Sequence, residues 1–118
     1  MPSLSTHVLD LYNGKPAANV KIELFYKALD ADWTLLHTAS TNADGRTDEK
    51  LITEASWQPG TYELLFYVAD YFESIQVPLS DPPFLTTVPI RFSMQQEGGH
   101  YHVPLLVSPW GYQVYRGS

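Results

Sequence analysis

His100-Tyr101-His102-Val103-Pro104-Leu105-Leu106-Val107-Ser108-Pro109 is the stretch that decides the fold of this chain. Side chains alternate between the two faces of a strand. One strand over 101–107 therefore puts Tyr101, Val103, Leu105 and Val107 on a face suited to a core. His102, Pro104 and Leu106 share the other face. A histidine followed by a mid-strand proline is unusual for a face that is merely wetted. Proline cannot donate to a ladder, so Pro104 predicts an edge or a locally unpaired position. Ser108-Pro109 and then Gly111 break the run, and Gln113-Val114-Tyr115 is expected to return antiparallel. The sequence ends three residues after Tyr115, and that closeness suggests that the closing residues belong to a site.

Working outward, Leu4 to Leu11 reads as a first strand, with Thr6 and Val8 on one face and His7, Leu9 and Leu11 on the other. Asn13-Gly14 is a strong turn signal. Val20, Ile22, Leu24 and Tyr26 alternate with Lys21, Glu23 and Phe25 in a half-buried strand. Trp33 to Thr41 makes a third strand, and Asn42-Ala43-Asp44-Gly45 a tight turn that sets Arg46 on a rigid corner. Thr47 to Leu51 reads as a short edge strand, and Gln58-Pro59-Gly60 as another turn. Thr61 to Val68 is a strand, Ala69 to Ser74 one or two helical turns, and Ile75 to Pro83 a proline-rich loop. Thr87 to Met94 adds a strand before the final hairpin. Seven or eight short strands, turn signals between them and at most one short helix describe an all-β domain, most simply a β-sandwich.

The chain has 118 residues, 44% of them apolar and 17% charged, which suits a single folded domain with its own core. Nine prolines and seven glycines agree with many turns. The net charge is −6, and the seven Lys and Arg are scattered singly, so no basic footprint for nucleic acid is present. Zero cysteines exclude a disulfide scaffold and thiol chemistry, as befits a reducing compartment. No segment resembles a signal peptide or approaches a membrane span, so a cytoplasmic location is expected.

The unusual polar features are four histidines, Arg46 and the Tyr115 hairpin. His100-x-His102 puts two imidazoles on one strand face, a spacing used by zinc and copper sites, but no Cys or well-placed carboxylate completes a ligand set. Ser5, Ser108 and Ser118 lack a Gly-x-Ser-x-Gly elbow. General acid–base work by histidine fits better, because imidazole titrates near neutral pH at about 6.5. On patterning alone, His7 and His102 as plain surface residues and Arg46 as an ordinary turn cation stand beside that reading.

Taken together, five segments resemble the transthyretin family along nearly the whole chain. They are Ser5-Thr6-His7-Val8-Leu9-Asp10, Gly14-Lys15-Pro16-Ala17, Gly45-Arg46-Thr47-Asp48, His100-Tyr101-His102-Val103-Pro104-Leu105-Leu106 and the closing Tyr115-Arg116-Gly117-Ser118. The His-Tyr-His run and the closing tetrapeptide are similar to its 5-hydroxyisourate hydrolase branch rather than to the hormone carrier. The resemblance implies one transthyretin-like domain over 1–118, a two-sheet sandwich of seven to eight strands with one short helix. It also implies a homotetramer, a dimer of dimers around a central channel, faced here by His7, Arg46, His102 and Tyr115 with Ser118 nearby.

The implied substrate is 5-hydroxyisourate, opened by water at a ring amide in urate breakdown to 2-oxo-4-hydroxy-4-carboxy-5-ureidoimidazoline. His7 or His102 would be the base, the other orienting it or donating a hydrogen bond. Arg46 would bind the ring and stabilise the anionic intermediate, and Tyr115 would contact substrate through its hydroxyl. Ser118 would orient a histidine through its hydroxyl or the terminal carboxylate. The catalytic set is thus His7, Arg46, His102 and Ser118, and the substrate-binding set His7, Arg46 and Tyr115, with no metal and no organic cofactor. His100 either supports the site or faces solvent beside Gly98-Gly99, and His37 is structural. The alternative is a transthyretin-type channel that carries a small ligand without turning it over.

Overall fold

The computed structural model describes residues 2–118, so residue 1 of the expected 1–118 domain lies outside the described residues. Among these residues the strands are β1 (Ser3–Asp10), β2 (Lys15–Pro16), β3 (Lys21–Lys27), β4 (Thr34–Ser40), β5 (Thr61–Phe66), β6 (Val88–Ser93), β7 (His100–Ser108) and β8 (Gly111–Val114). One helix, α1 (Val68–Ser74), follows β5. The strands form two four-stranded sheets, ordered β2-β1-β7-β8 and β4-β3-β5-β6. All pairings are antiparallel except β1 with β7, which run parallel.

The core lies between the sheets and follows the period-2 pattern of their strands. Leu4, Thr6 and Val8 of β1 and Tyr101, Val103, Leu105 and Val107 of β7 point inward. They meet Ile22 and Leu24 of β3, Tyr62, Leu64 and Phe66 of β5, and Val88 of β6. Thr6 is the polar member of the inward row, and its hydroxyl donates to the Val103 carbonyl at 2.7 Å, so its burial leaves no orphan.

Several local expectations need correction. Pro104 is buried in an interior strand, with β1 on one side and β8 on the other, so of the two alternatives the edge fails and the locally unpaired position holds. Its missing donor is accommodated because the β7–β8 ladder ends at Leu105↔Val114, one residue short of it. Tyr115 accordingly falls outside β8. Residues 47–51 form no strand; the chain there touches β1 only through isolated bridges, His7↔Arg46 and Leu4↔Ile52. Lys15–Pro16 pairs with Leu9 and Asp10 as β2, which the turn-rich sequence did not suggest. Val68 opens the helix instead of closing β5.

Helix α1 buries Val68, Ala69, Tyr71 and Phe72. Through Tyr71 it clamps the turn that follows β1. Asp10 is 1% exposed, yet its carboxylate accepts from the Tyr71 hydroxyl at 2.7 Å, from the Asn13 side chain at 2.7 Å and from the Asn13 amide at 2.9 Å. Burial pushes this carboxyl up, but the hydrogen bonds from Asn13, Tyr71 and the Tyr12 backbone outweigh it and hold Asp10 below the ordinary 3.8.

A folded value below the unfolded one stabilises the fold above the unfolded pKa, and that stabilisation is lost as pH falls through the folded value. Urea unfolding of Tyr71→Phe at pH 7 should show a loss of about 1.5–3 kcal/mol, the range for a hydrogen bond to a charged group. The difference from wild type should shrink below about pH 4, as Asp10 protonates.

Candidate functional site

The parallel register pairs Ser3 with His100, Ser5 with His102 and His7 with Pro104. Residues paired across a ladder share a face, so the sheet turns Ser3, Ser5 and His7 to the same side as His100, His102 and Pro104, opposite the core. The rings of His7 and His102 have centroids 6.5 Å apart, and those of His100 and His102 lie 6.3 Å apart at 21°.

Two serines tie this row together. Ser5 Oγ lies 2.8 Å from His102 Nδ1 and 2.8 Å from His100 Nε2, and Ser3 Oγ lies 2.6 Å from His100 Nδ1. His102 Nε2 has no hydrogen bond to protein among the described residues.

Arg46 arrives from the side, on the corner expected of Asn42-Ala43-Asp44-Gly45. The Asn42 side-chain oxygen accepts from the amides of Asp44 at 2.9 Å and Arg46 at 3.2 Å, and the Asn42 amide donates to the Arg46 carbonyl at 2.7 Å. Val8 donates to the Gly45 carbonyl at 2.8 Å, which docks the corner on β1. Gly45 has φ 76°, and a Cβ there would sit 2.4 Å from the Val8 carbonyl oxygen, so this position accepts only glycine.

Burial first, and the nearby Arg46 guanidinium second, push both His7 and His102 below the ordinary 6.5. Asp44 partly restores His7, whereas His100 and His7 depress His102 further. Both imidazoles are therefore biased toward the neutral form at pH 7, in which one ring nitrogen can accept a proton.

The tail returns to β7 after the gap left by Pro104. Gly117 donates its amide to the His102 carbonyl at 2.7 Å, and a Cβ at Gly117 would meet His102 Cδ2 at 2.9 Å and Pro104 Cγ at 3.2 Å. Arg116 stacks its guanidinium 3.8 Å from the Tyr101 ring centroid and donates to the Gly98 carbonyl at 2.9 Å. The tail is thus held by a main-chain bond on one residue and a cation–π contact on the next.

The structure brings His7, His102 and Arg46 together as expected and adds His100 to them through Ser5. It does not bring the Tyr115 hydroxyl to the imidazoles. Tyr115 is 57% exposed and borders a cleft of about 240 Å³ on the core side of β7, with Ile90, Phe92, Val103 and Val114. Ser118 is exposed and its side chain makes no hydrogen bond among the described residues; Gly117 supplies the tail's contact with His102. His37 lies exposed on edge strand β4, away from this face. Among the described residues no group of three or more His, Cys, Asp or Glu is arranged to hold a metal. Ser3, Ser5 and Gly117 were missed by sequence reasoning. The parity that put His7 outward would have found both serines, had the parallel register been known.

The HIUase/Transthyretin family model matches residues 4–117. A 5-hydroxyisourate hydrolase of Deinococcus radiodurans is 52% identical over 117 residues, covering 99% of this chain and 97% of that protein. The crystal structure of an (S)-allantoin synthase superposes with a TM-score of 0.92 at 39% identity; it covers 99% of this chain, which spans only 44% of that longer one. Transthyretin from Sparus aurata superposes with a TM-score of 0.86 at 30% identity, covering 98% of this chain and 96% of its own.

Replacing Arg46 with Gln should raise the titration midpoints of His7 and His102 together toward 6.5, because the cation that disfavours both imidazolium ions is gone. Histidine NMR titration reads the shift directly. Midpoints that stay put would mean that burial alone sets them.

Proposed function

Because the chain belongs to the HIUase/Transthyretin family and is 52% identical to a 5-hydroxyisourate hydrolase across nearly all of both chains, we propose that it hydrolyses 5-hydroxyisourate in urate breakdown. The observation that carries the reading is the pair of outward imidazoles, His7 and His102, biased to the neutral form beside Arg46. A carrier of a neutral or anionic ligand gains nothing from a base. A hydrolase needs one to activate water and a fixed cation for the charge that develops on the attacked oxygen.

In the proposed mechanism, water attacks a ring-amide carbonyl while one imidazole takes its proton. The Arg46 guanidinium offers paired N–H donors to the resulting oxyanion, which water could provide only at the cost of reorganising. The carbon–nitrogen bond then breaks, and the same or the second imidazole returns a proton to the departing nitrogen. The products of that step are a carboxylic acid, which gives up its proton to solvent at neutral pH, and a free ureido group, as in 2-oxo-4-hydroxy-4-carboxy-5-ureidoimidazoline. Water, imidazole and guanidinium complete every step, so the scheme calls on no metal or organic cofactor.

His7, Arg46 and His102 are assigned to catalysis, and His7, Arg46 and Tyr115 to substrate binding, with Ser118 closing the tail. The exposed position of Tyr115 makes its part, and that of Ser118, dependent on a neighbouring subunit. Support for a homotetramer comes from unpaired outer edges on β6 and β8 and from exposed Trp110 and Tyr112 at the β7–β8 turn. Strand edges and apolar patches of this kind are ordinarily covered by a partner. We read residues 1–118 as one domain, because both sheets contribute to a single apolar cluster. No described helix is long and apolar enough to cross a membrane. We assign the protein to the cytoplasm, whose reducing conditions suit a sequence without cysteine.

His102→Asn should keep the melting temperature near that of wild type and lower the initial rate on freshly generated 5-hydroxyisourate by ~100- to 10,000-fold. Loss of the substrate's ultraviolet absorbance is the assay. Tight binding of 5-hydroxyisourate by wild type without faster loss would favour the carrier.

Removing Tyr115 to Ser118 deletes one main-chain bond to β7, the Arg116–Tyr101 contact and the Arg116 hydrogen bond to Gly98, but none of the inward row of β7. The truncated chain should therefore stay folded and lose turnover. Melting temperature, light-scattering mass and initial rate compared with the full chain separate the outcomes, and full activity would make the segment a mere tail.

A further inference from the structure

His102 has its Nδ1 filled and its Nε2 open, and what fills Nδ1 is the end of a chain of polar groups. In order, that chain is Ser3 Oγ, His100 Nδ1, His100 Nε2, Ser5 Oγ and His102 Nδ1, with links of 2.6, 2.8 and 2.8 Å. A neutral imidazole donates through one nitrogen and accepts through the other, and a hydroxyl donates once and also accepts.

Two arrangements therefore run the protons head to tail. In one, Ser3 donates to His100, His100 to Ser5 and Ser5 to His102, which leaves His102 protonated at Nε2 and ready to donate. In the other the order is reversed, and His102 Nε2 carries a lone pair ready to accept.

We propose that Ser5 and His100 form a proton relay that switches His102 between these two states within one turnover of the hydrolysis proposed above. His102 is the group that meets water and leaving nitrogen. Ser5 and His100 act through it and are positioning residues.

The step balances as a proton transfer. His102 Nε2 takes a proton from the attacking water, the Nδ1 proton passes to Ser5 Oγ, and the Ser5 hydroxyl proton passes to His100 Nε2. His100 keeps its Nδ1 proton on Ser3 and becomes the cation, while His102 is left neutral with a proton on Nε2. That proton goes to the departing nitrogen, and the reverse shift along the chain restores the start. No proton is gained or lost beyond the one that moves from water to product.

Charge placement favours the transfer. The groups that face His102 are Arg46, His7 and His100, and a positive charge left on His102 is opposed by burial and by Arg46. Asp44 faces His7, so its carboxylate offers His102 little relief. His100 stands at the exposed end of the row, with its ring centroid 6.3 Å from that of His102, where water solvates an imidazolium. Moving the charge from His102 to His100 takes it away from the guanidinium at the moment Arg46 is needed for the oxyanion.

The test uses the full-length protein and four variants: Ser5→Ala, Ser5→Thr, His100→Phe and the Ser5→Ala/His100→Phe pair. Ser5→Ala should lower kcat by about 10- to 100-fold, part of the ~100- to 10,000-fold of a full acid–base group, with KM nearly unchanged. Ser5→Thr, which keeps the hydroxyl, should recover most of it. His100→Phe should match Ser5→Ala, and the pair should be no worse than either alone, because both break the same chain. The acidic limb of the pH–rate profile should move in the variants, since His102 then titrates without an outlet.

In substrate-free protein, nitrogen NMR of the imidazoles should show the His102 tautomer ratio changed by Ser5→Ala. A wild type that does not accelerate loss of 5-hydroxyisourate overturns the hydrolase reading itself. An active wild type with unchanged kcat and pH profile in Ser5→Ala overturns only the relay, as does an unaltered tautomer ratio.

Discussion

Thr6 faces Val103 across the β1–β7 ladder, and its hydroxyl donates to the Val103 carbonyl in the interior of the sandwich. Once that pair is inside, Ser5 and His7 must point outward, and so must His102 and Pro104. Slipping β1 by one residue along β7 would bury His7 and expose Leu4 and Val8, so the core fixes the register and the register builds the site. Burying those side chains is worth roughly 1.5–3 kcal/mol for each large aliphatic one, far more than any one polar contact on the outer face. The polar row is held by apolar energy on the reverse side of the same two strands.

Two further devices bring charge and chain to that row. The Gly45 corner delivers Arg46 with its backbone fastened on both sides, and a guanidinium so placed adds to burial in disfavouring the charged form of the neighbouring imidazoles without bonding to them. Pro104 ends the pairing of β7 with β8, and the freed tail comes back to rest on the His102 carbonyl through Gly117. A residue that weakens a sheet thereby lets another backbone approach the site. The absence of a side chain at Gly117 lets it come close.

Much of the fold was legible because its strands alternate cleanly. Val20–Tyr26 and Tyr101–Val107 carry the inward row on their face, and turn residues bracket them. What was not legible depended on partners distant in sequence. Lys15–Pro16 becomes β2 only because Leu9 and Asp10 lie beside it, and residues 47–51 fail as a strand because nothing pairs with them beyond single bridges. Pro104 left an edge and a locally unpaired position as alternatives, since a sequence does not say where its neighbour strand stops.

At the site, parity exposed His7 and His102, and the motif resemblance joined them to Arg46. Ser3 and Ser5 carry no signal of their own. Their role comes from lying opposite His100 and His102, a relation set by a ladder between the two ends of the chain.

That ladder joins residues 97 apart, as the Thr6–Val103 bond does. A chain made from its N-terminus exposes β1 long before β7 exists, so the central pairing of its sheet is among the last that a nascent chain can complete. Until then the edge of β1 that β7 will cover stays open, the condition in which strands stick to other chains. Ser3, Ser5 and His7 make one face of the waiting segment largely polar, Leu9 apart, while Leu4 and Val8 make the other apolar. The side chains that serve the finished site also keep an early strand from being sticky on both sides while the rest of the polypeptide is still being made.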